Sequence, residues 1–388
     1  MKFLQQYFKH PLWLVGFRPL FALGFIAGAV LPMLWYLMFS NRLSLELNVS
    51  SLHWHVHEMY FGFGWAVLGG FLLTASKNWA GVRGHHGWVL ALLCVFWLLD
   101  RAAFWLPRET PQEFTWLMHN AFMLLMVPLI VWTLLNALGK IGKDNWYFII
   151  GLPLFVVSKN LLFTEQYFEL AWTMSQGLFR LMVAMMLERT LAAFMQAHYK
   201  LELPRNRWLD ALIRLGIFVA VFQALLPVWL AVAVLAASAL LLMYRFVLWR
   251  PLQGFSTLDT GVSYAAYLAL VVSMLLECLR ISGNLLVVGD VATHVFTLLS
   301  MGLVMAAMMI RITQGHTARP IIFAWSDKVA IWLLGAGGVV RIVMPQIWPQ
   351  HYLDFVLFAA FTWEICFILL GWRLMPFLFK PRLDGKEG

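Results

Sequence analysis

The chain has 388 residues, of which 62% are hydrophobic and 12% charged, and it carries a formal net charge of +9. Soluble domains hold roughly 45–50% apolar and about 25% charged residues, so the composition excludes a soluble enzyme and predicts an all-α, polytopic integral membrane protein. The positive charge does not mark a nucleic-acid partner, because Lys and Arg are scattered through short loops between apolar runs, as topology signals are.

In chain order, Phe17-Arg-Pro-Leu20 runs straight into an apolar stretch without a small-residue cleavage site, which reads as a retained helix and no removable signal peptide. Apolar runs of about 16–25 residues, broken by polar residues, Pro or Gly, then predict about twelve transmembrane helices. They fall near 19–39, 59–76, 88–106, 115–136, 146–163, 172–196, 209–226, 228–248, 258–281, 291–313, 328–346 and 352–379. The pair flanking Pro227 also admits one kinked helix plus an interfacial piece. With no linker, low-complexity tract or internal repeat, residues 1–388 read as a single helical bundle in a lipid bilayer.

Loop charge sets the orientation. Lys2, Lys9 and Arg18, then Lys77 and Arg83, Lys140 and Lys143, Lys200, Arg205 and Arg207, Arg250, Arg311, Arg319 and Lys328, and Lys380, Arg382 and Lys386 fall on one side. The alternate loops are acidic or poor in cations, as in 100–113, 165–169 and 283–290. Both termini are therefore predicted to be cytoplasmic. The same orientation brings His55, His57 and Glu58, His119, and His294 to outer helix ends, and leaves His316 at the inner surface, about 33 Å along the helix from His294.

Ionisable side chains at the membrane boundary are costly without a partner or a role, so His53-Trp-His-Val-His-Glu58 is the leading candidate for a metal site. In a helix His55 and Glu58 share a face, while His55 and His57 point about 200° apart and would serve different centres. In an extended segment the two rings would instead point the same way and share one metal. The helical reading makes Glu58 the group that orients His55. An interfacial cluster with Trp54 and Tyr60 is the structural alternative. His119 and His294 are further candidate ligands, and the Met301, Met305 and Met308 stripe reads as packing before it reads as soft ligands. Arg180, Arg280 and Arg341 each need an anionic partner at their depth, either a haem propionate or a carboxylate such as Glu165, Glu277 or Asp290. The three cysteines lie inside apolar runs and no Cys-x-x-Cys-His occurs, so a haem would be held without covalent attachment.

Several blocks carry a family resemblance. Trp54-His-Val-His-Glu-Met59 followed by Gly70-Phe-Leu-Leu-Thr-Ala75 and Asn78-Trp79, Gly16-Phe-Arg-Pro-Leu20, Gly315-His-Thr-Ala-Arg-Pro320 and Pro381-Arg-Leu-Asp-Gly385 together resemble the NnrS family. The resemblance implies a haem- and copper-containing protein of the bacterial inner membrane, linked to nitric oxide and nitrosative stress under denitrifying conditions. It places the family's histidine pair on His55 and His57, its glutamate on Glu58, and its later histidines on His294 and His316. On helix 6, where the family has Gly-Gly-Arg, this chain has Leu187-Glu-Arg189.

Two functional classes follow. In the first, b-type haem and copper bind nitric oxide or turn it over, with membrane quinol as the default electron donor. In the second, the protein is a transporter or a haem and metal handler for respiratory enzyme assembly, a class that usually shows internal repeats and broken helices.

Overall fold

A computed structural model describes residues 8–139 and 142–386, and every regular element in it is helical. Two of the loop cations, Lys2 and Lys140, lie outside the described residues. Helices occupy all twelve predicted segments: α1 (Phe17–Phe39), α2 (Ser51–Ala80), α3 (Trp88–Ala102), α4 (Gln112–Leu135), α5 (Trp146–Leu161), α6 (Phe168–Tyr199), α7 (Arg207–Ala220), α8 (Val228–Leu248), α9 (Leu258–Ile281), α10 (Val291–His316), α11 (Trp325–Ile347) and α12 (Tyr352–Phe379).

Among the described residues nine of these are both long and apolar enough to cross a bilayer, fewer than the twelve spans expected. The shortfall has a physical cause in each case. α5 has 16 residues and α7 has 14, below the roughly 20 a hydrocarbon core requires. α6 has 32 residues but carries Arg180, Glu188 and Arg189 within its length. The break before α8 is real: Pro227, without an N–H to donate, stands as its N-cap.

Local sequence explains the helix ends. Ser50 caps α2 by accepting the His53 N–H, Asn206 caps α7, and Asp290 caps α10 by accepting from Thr293. Gly81, at φ +65°, closes α2 in the left-handed conformation that a residue without Cβ adopts freely.

Contacts divide the chain into two compact units. The first comprises Met1–Thr164, Met308–Ser326 and Phe367–Gly388. In it α2 packs on α1 and α4, α3 packs on α4, and α4 packs on α5. Close approach relies on missing side chains: a Cβ on Gly28 would lie 2.5 Å from the Phe367 ring, and one on Gly70 would lie 3.1 Å from Leu20 and Phe21.

The second unit comprises Glu165–Ala307 and Asp327–Cys366. Here α8 packs on α7 and α9, and α6 packs on α7 and α9. A buried ion network ties these helices together. Arg245 donates to Glu188 (3.1 Å), Asp210 (2.9 Å) and the Tyr267 hydroxyl (2.9 Å), and Arg214 donates to Glu188 (2.7 Å). Such a network holds its members in place because losing one partner strands a buried charge.

Two helices contain a π-helical turn, Glu58–Gly64 in α2 and Val295–Gly302 in α10. Each begins directly after a histidine, His57 and His294. π turns in α-helices recur at functional sites.

Candidate metal centre

Residues 51–57 are helical, which removes the extended alternative for the histidine segment. His53 stays at the helix start, its Nδ1 2.6 Å from the Ser50 hydroxyl. His55 turns towards α1, where its ring stacks on Trp35 at 4.2 Å and 14° between planes. His57, two residues on and about 200° around the helix, is buried among α3, α4 and the end of α5.

His57 Nδ1 lies 2.9 Å from Glu58 Oε1. This corrects the expectation that Glu58 orients His55: in the structure it orients His57. The position of Gly62 makes room for that carboxylate, since a Cβ there would sit 2.7 Å from Glu58 Oε2. The Gly62 carbonyl also accepts the Trp97 indole N–H at 3.1 Å, fastening the π turn to α3.

Around His57 stands a compact set of charges. His119 Nδ1 on α4 is 3.2 Å from Asp100 Oδ1 on α3, and His57 Nε2 is 3.4 Å from the same oxygen. Asp100 Oδ2 accepts from Arg101 Nη2 (2.9 Å) and from Lys159 Nζ on α5 (2.5 Å). Lys159 also donates to the His119 carbonyl, and Arg101 Nε donates to Glu58 Oε1 at 3.1 Å. Two carboxylates thus face two cations, so the cluster is neutral when both imidazoles are neutral. Burial of an unpaired ion would cost several kcal/mol. Phe104 and Phe163 lie against both histidine rings and wall the cluster off, with ring centroids between 4.6 and 5.7 Å from them.

The donor set fits a metal ion. Among the described residues His57, Asp100 and His119 form the one group of three whose ligand atoms all lie within 4.8 Å of one another. His57 Nε2 is buried and makes no hydrogen bond. With Nδ1–H donating to Glu58, the Nε2 lone pair points into the cluster, the arrangement in which a carboxylate sets the tautomer of a ligating imidazole. Two imidazoles with a carboxylate suit copper, zinc or iron.

The other predicted site residues are placed elsewhere. His294, in the second unit, has Nδ1 2.6 Å from the Asp290 carbonyl, with Arg341 as an electrostatic neighbour. Arg341 donates to the Tyr352 hydroxyl at 2.7 Å. Arg280 donates to Glu277 at 2.9 Å, and Arg180 lies 3.7 Å from the other oxygen of the same carboxylate. The expected carboxylate pairing of these two arginines therefore occurs within the protein. His316, at the far end of α10, rests 5.6 Å from the Phe17 ring. Sequence reasoning missed Asp100 and Arg101, and it marked Lys159 only through the resemblance, as standing with Asn160 where the family has Arg-Asn. Asp100-Arg101 closes an apolar run and reads as the start of an acidic loop; the signal available is an acid at membrane depth, which marks a site by default.

Helices that can cross a bilayer and a buried histidine–carboxylate cluster define a multi-pass membrane protein with a candidate metal centre. A family profile, that of the NnrS protein, matches residues 11–382, nearly the whole length. The chain belongs to the NnrS family, whose membership suggests a role in the nitric oxide response. Neither a curated protein nor a solved structure matches it significantly.

Proposed function

We propose that this chain is a bacterial inner-membrane protein that holds copper and b-type haem, binds nitric oxide or turns it over, and so protects against nitrosative stress. The observation that carries this reading is the buried His57 Nε2, aimed at Asp100 and His119 with its tautomer set by Glu58. His57 and His119 would hold copper with Asp100, and a bound copper would supply a redox-active position for a diatomic ligand. Lys159 and Arg101 hold Asp100 in place by pairing with its Oδ2, while the phenylalanine walls exclude water. His55, turned to Trp35, belongs to a different centre from His57.

For haem, His294 is our assignment, because the Asp290 carbonyl fixes its Nδ1 and presents Nε2, as for a proximal ligand. Of the three arginines, Arg341 is the one we assign to a propionate, since Arg180 and Arg280 already share Glu277. Membrane quinol is the proposed electron donor.

Metal analysis and optical spectra of purified variants test the assignment. His57→Ala and His119→Ala are expected to lose copper, His294→Ala to lose haem, and His55→Ala to keep copper. Full copper in both His57→Ala and His119→Ala would sink the centre. Amperometric loss of nitric oxide with an added reductant then tests turnover.

A further inference from the structure

The sequence blocks that the metal cluster does not use meet at the other end of the first unit. Lys77 stands 20 residues beyond His57 on α2, about 30 Å away along the helix. There the Phe17 N–H donates to Thr74 Oγ1 at 3.1 Å, and Arg18 Nη1 donates to the carbonyls of Leu378 and Lys380, both at 2.8 Å. Arg382 Nη1 donates to the His316 carbonyl at 3.0 Å, and the Leu383 N–H donates to the Thr317 carbonyl at 3.2 Å. Segments 16–20, 74–79, 315–320 and 381–385 are thereby one local structure.

This structure is strongly cationic and incompletely satisfied. Arg18 is fully buried, and its Nε and Nη2 make no hydrogen bond. Arg319 and Arg382 act on its guanidinium as like charges, and Lys77, Arg382 and Arg18 stand as cations towards His316. Asp384 offsets one of these charges, forking onto Arg382 at 2.9 and 2.7 Å. A buried guanidinium with two idle N–H groups among like charges is a costly arrangement, and an oxyanion placed there would relieve both defects through charge-assisted, bidentate bonds.

We propose that this end of the unit is an oxyanion site for the phosphate of an anionic phospholipid. Lipid is favoured over free phosphate by what flanks the cations. Arg319 is followed by exposed Ile321, Ile322 and Trp325, and Arg382 by exposed Leu383, apolar surface on which acyl chains can lie. Basic pockets between membrane helices select anionic headgroups in this way.

Native mass spectrometry of the purified full-length protein should show a retained phosphatidylglycerol. Delipidated protein should gain thermal stability in phosphatidylglycerol nanodiscs over phosphatidylcholine ones. Lys77→Gln and Arg319→Gln, which leave the Arg18 bonds to the α12 carbonyls intact, should each weaken retention about fivefold. Their elution and melting profiles in phosphatidylcholine show that they remain folded. Arg18→Gln is a poor test, because it also uncaps α12. If millimolar inorganic phosphate stabilises the wild type as well as phosphatidylglycerol does, and both variants lose the response, the oxyanion site stands with a soluble source. Equal behaviour in the two lipids with no response to phosphate, or unchanged retention in both variants, would overturn it.

Discussion

Glu58 touches both His57, the proposed ligand, and the cation Arg101, so its replacement separates orientation from charge. Glu58→Gln keeps an acceptor near His57 but leaves Arg101 with less compensation. Copper affinity is expected to fall about 10- to 100-fold, the usual effect of losing the partner of a ligating histidine, as read by competition with a chelator. Unchanged affinity would show that Glu58 does not orient the ring. A histidine-rich segment was legible from residues 53–58, and His119 was legible as a histidine near the outer end of an apolar helix. The partner of Glu58 was not, because helical spacing ranks side chains by angle alone, whereas burial and Arg101 decide which neighbour a glutamate meets. At the C-terminal tail, the Arg382 fork holds the exposed Asp384 carboxyl below its ordinary value of 3.8. Its contribution is therefore complete above that value and lost as pH falls through the lowered one. The difference in melting temperature between wild type and Asp384→Asn should be the same at pH 5 and pH 8; a difference that changes between them would implicate another titrating group.

Helices are the scale at which the sequence was most readable: long apolar runs with Ser, Asn and Asp at their starts became helices with those residues as caps. The π turns were not readable, since an extra residue in one turn leaves composition and apolar spacing almost untouched. In α2 that extra residue sets the azimuth of everything before it. Deleting Met59 should restore ordinary winding and swing His57 by about 100°, with copper lost while helical circular dichroism and membrane insertion remain. Retained copper would mean that the turn is not needed for the centre. In the second unit, a Cβ on Gly177 would lie 2.8 Å from the Val221 Cα, a backbone atom that cannot rotate away. Gly177→Ala should cost about 1–3 kcal/mol and lower the melting temperature in detergent; an unchanged value would show that α6 and α7 can separate freely.

For the molecule as a whole, loop charge predicts that both termini are cytoplasmic, and reporter fusions after Lys386 and near Glu46 test that prediction. Equal activity of a cytoplasm-only reporter at both positions would sink it. The number of crossings was less legible than the helices themselves, because α6 mixes charge into its length and α7 is short. One feature of the first unit also sets an order of events during synthesis. His57, Asp100, His119 and Lys159 are all translated within the first 164 residues, whereas Arg18 meets its carbonyl acceptors about 360 positions later in the chain. At roughly 5–20 residues per second, the ribosome needs about ten seconds or more between finishing α5 and supplying Lys380. The proposed ligands are thus available for metal delivery while the clasp at Arg18 is still open. A chain stopped before Phe367 should keep the ligands and lack the clasp, and comparing its copper content with that of the full-length protein would separate loading from closure.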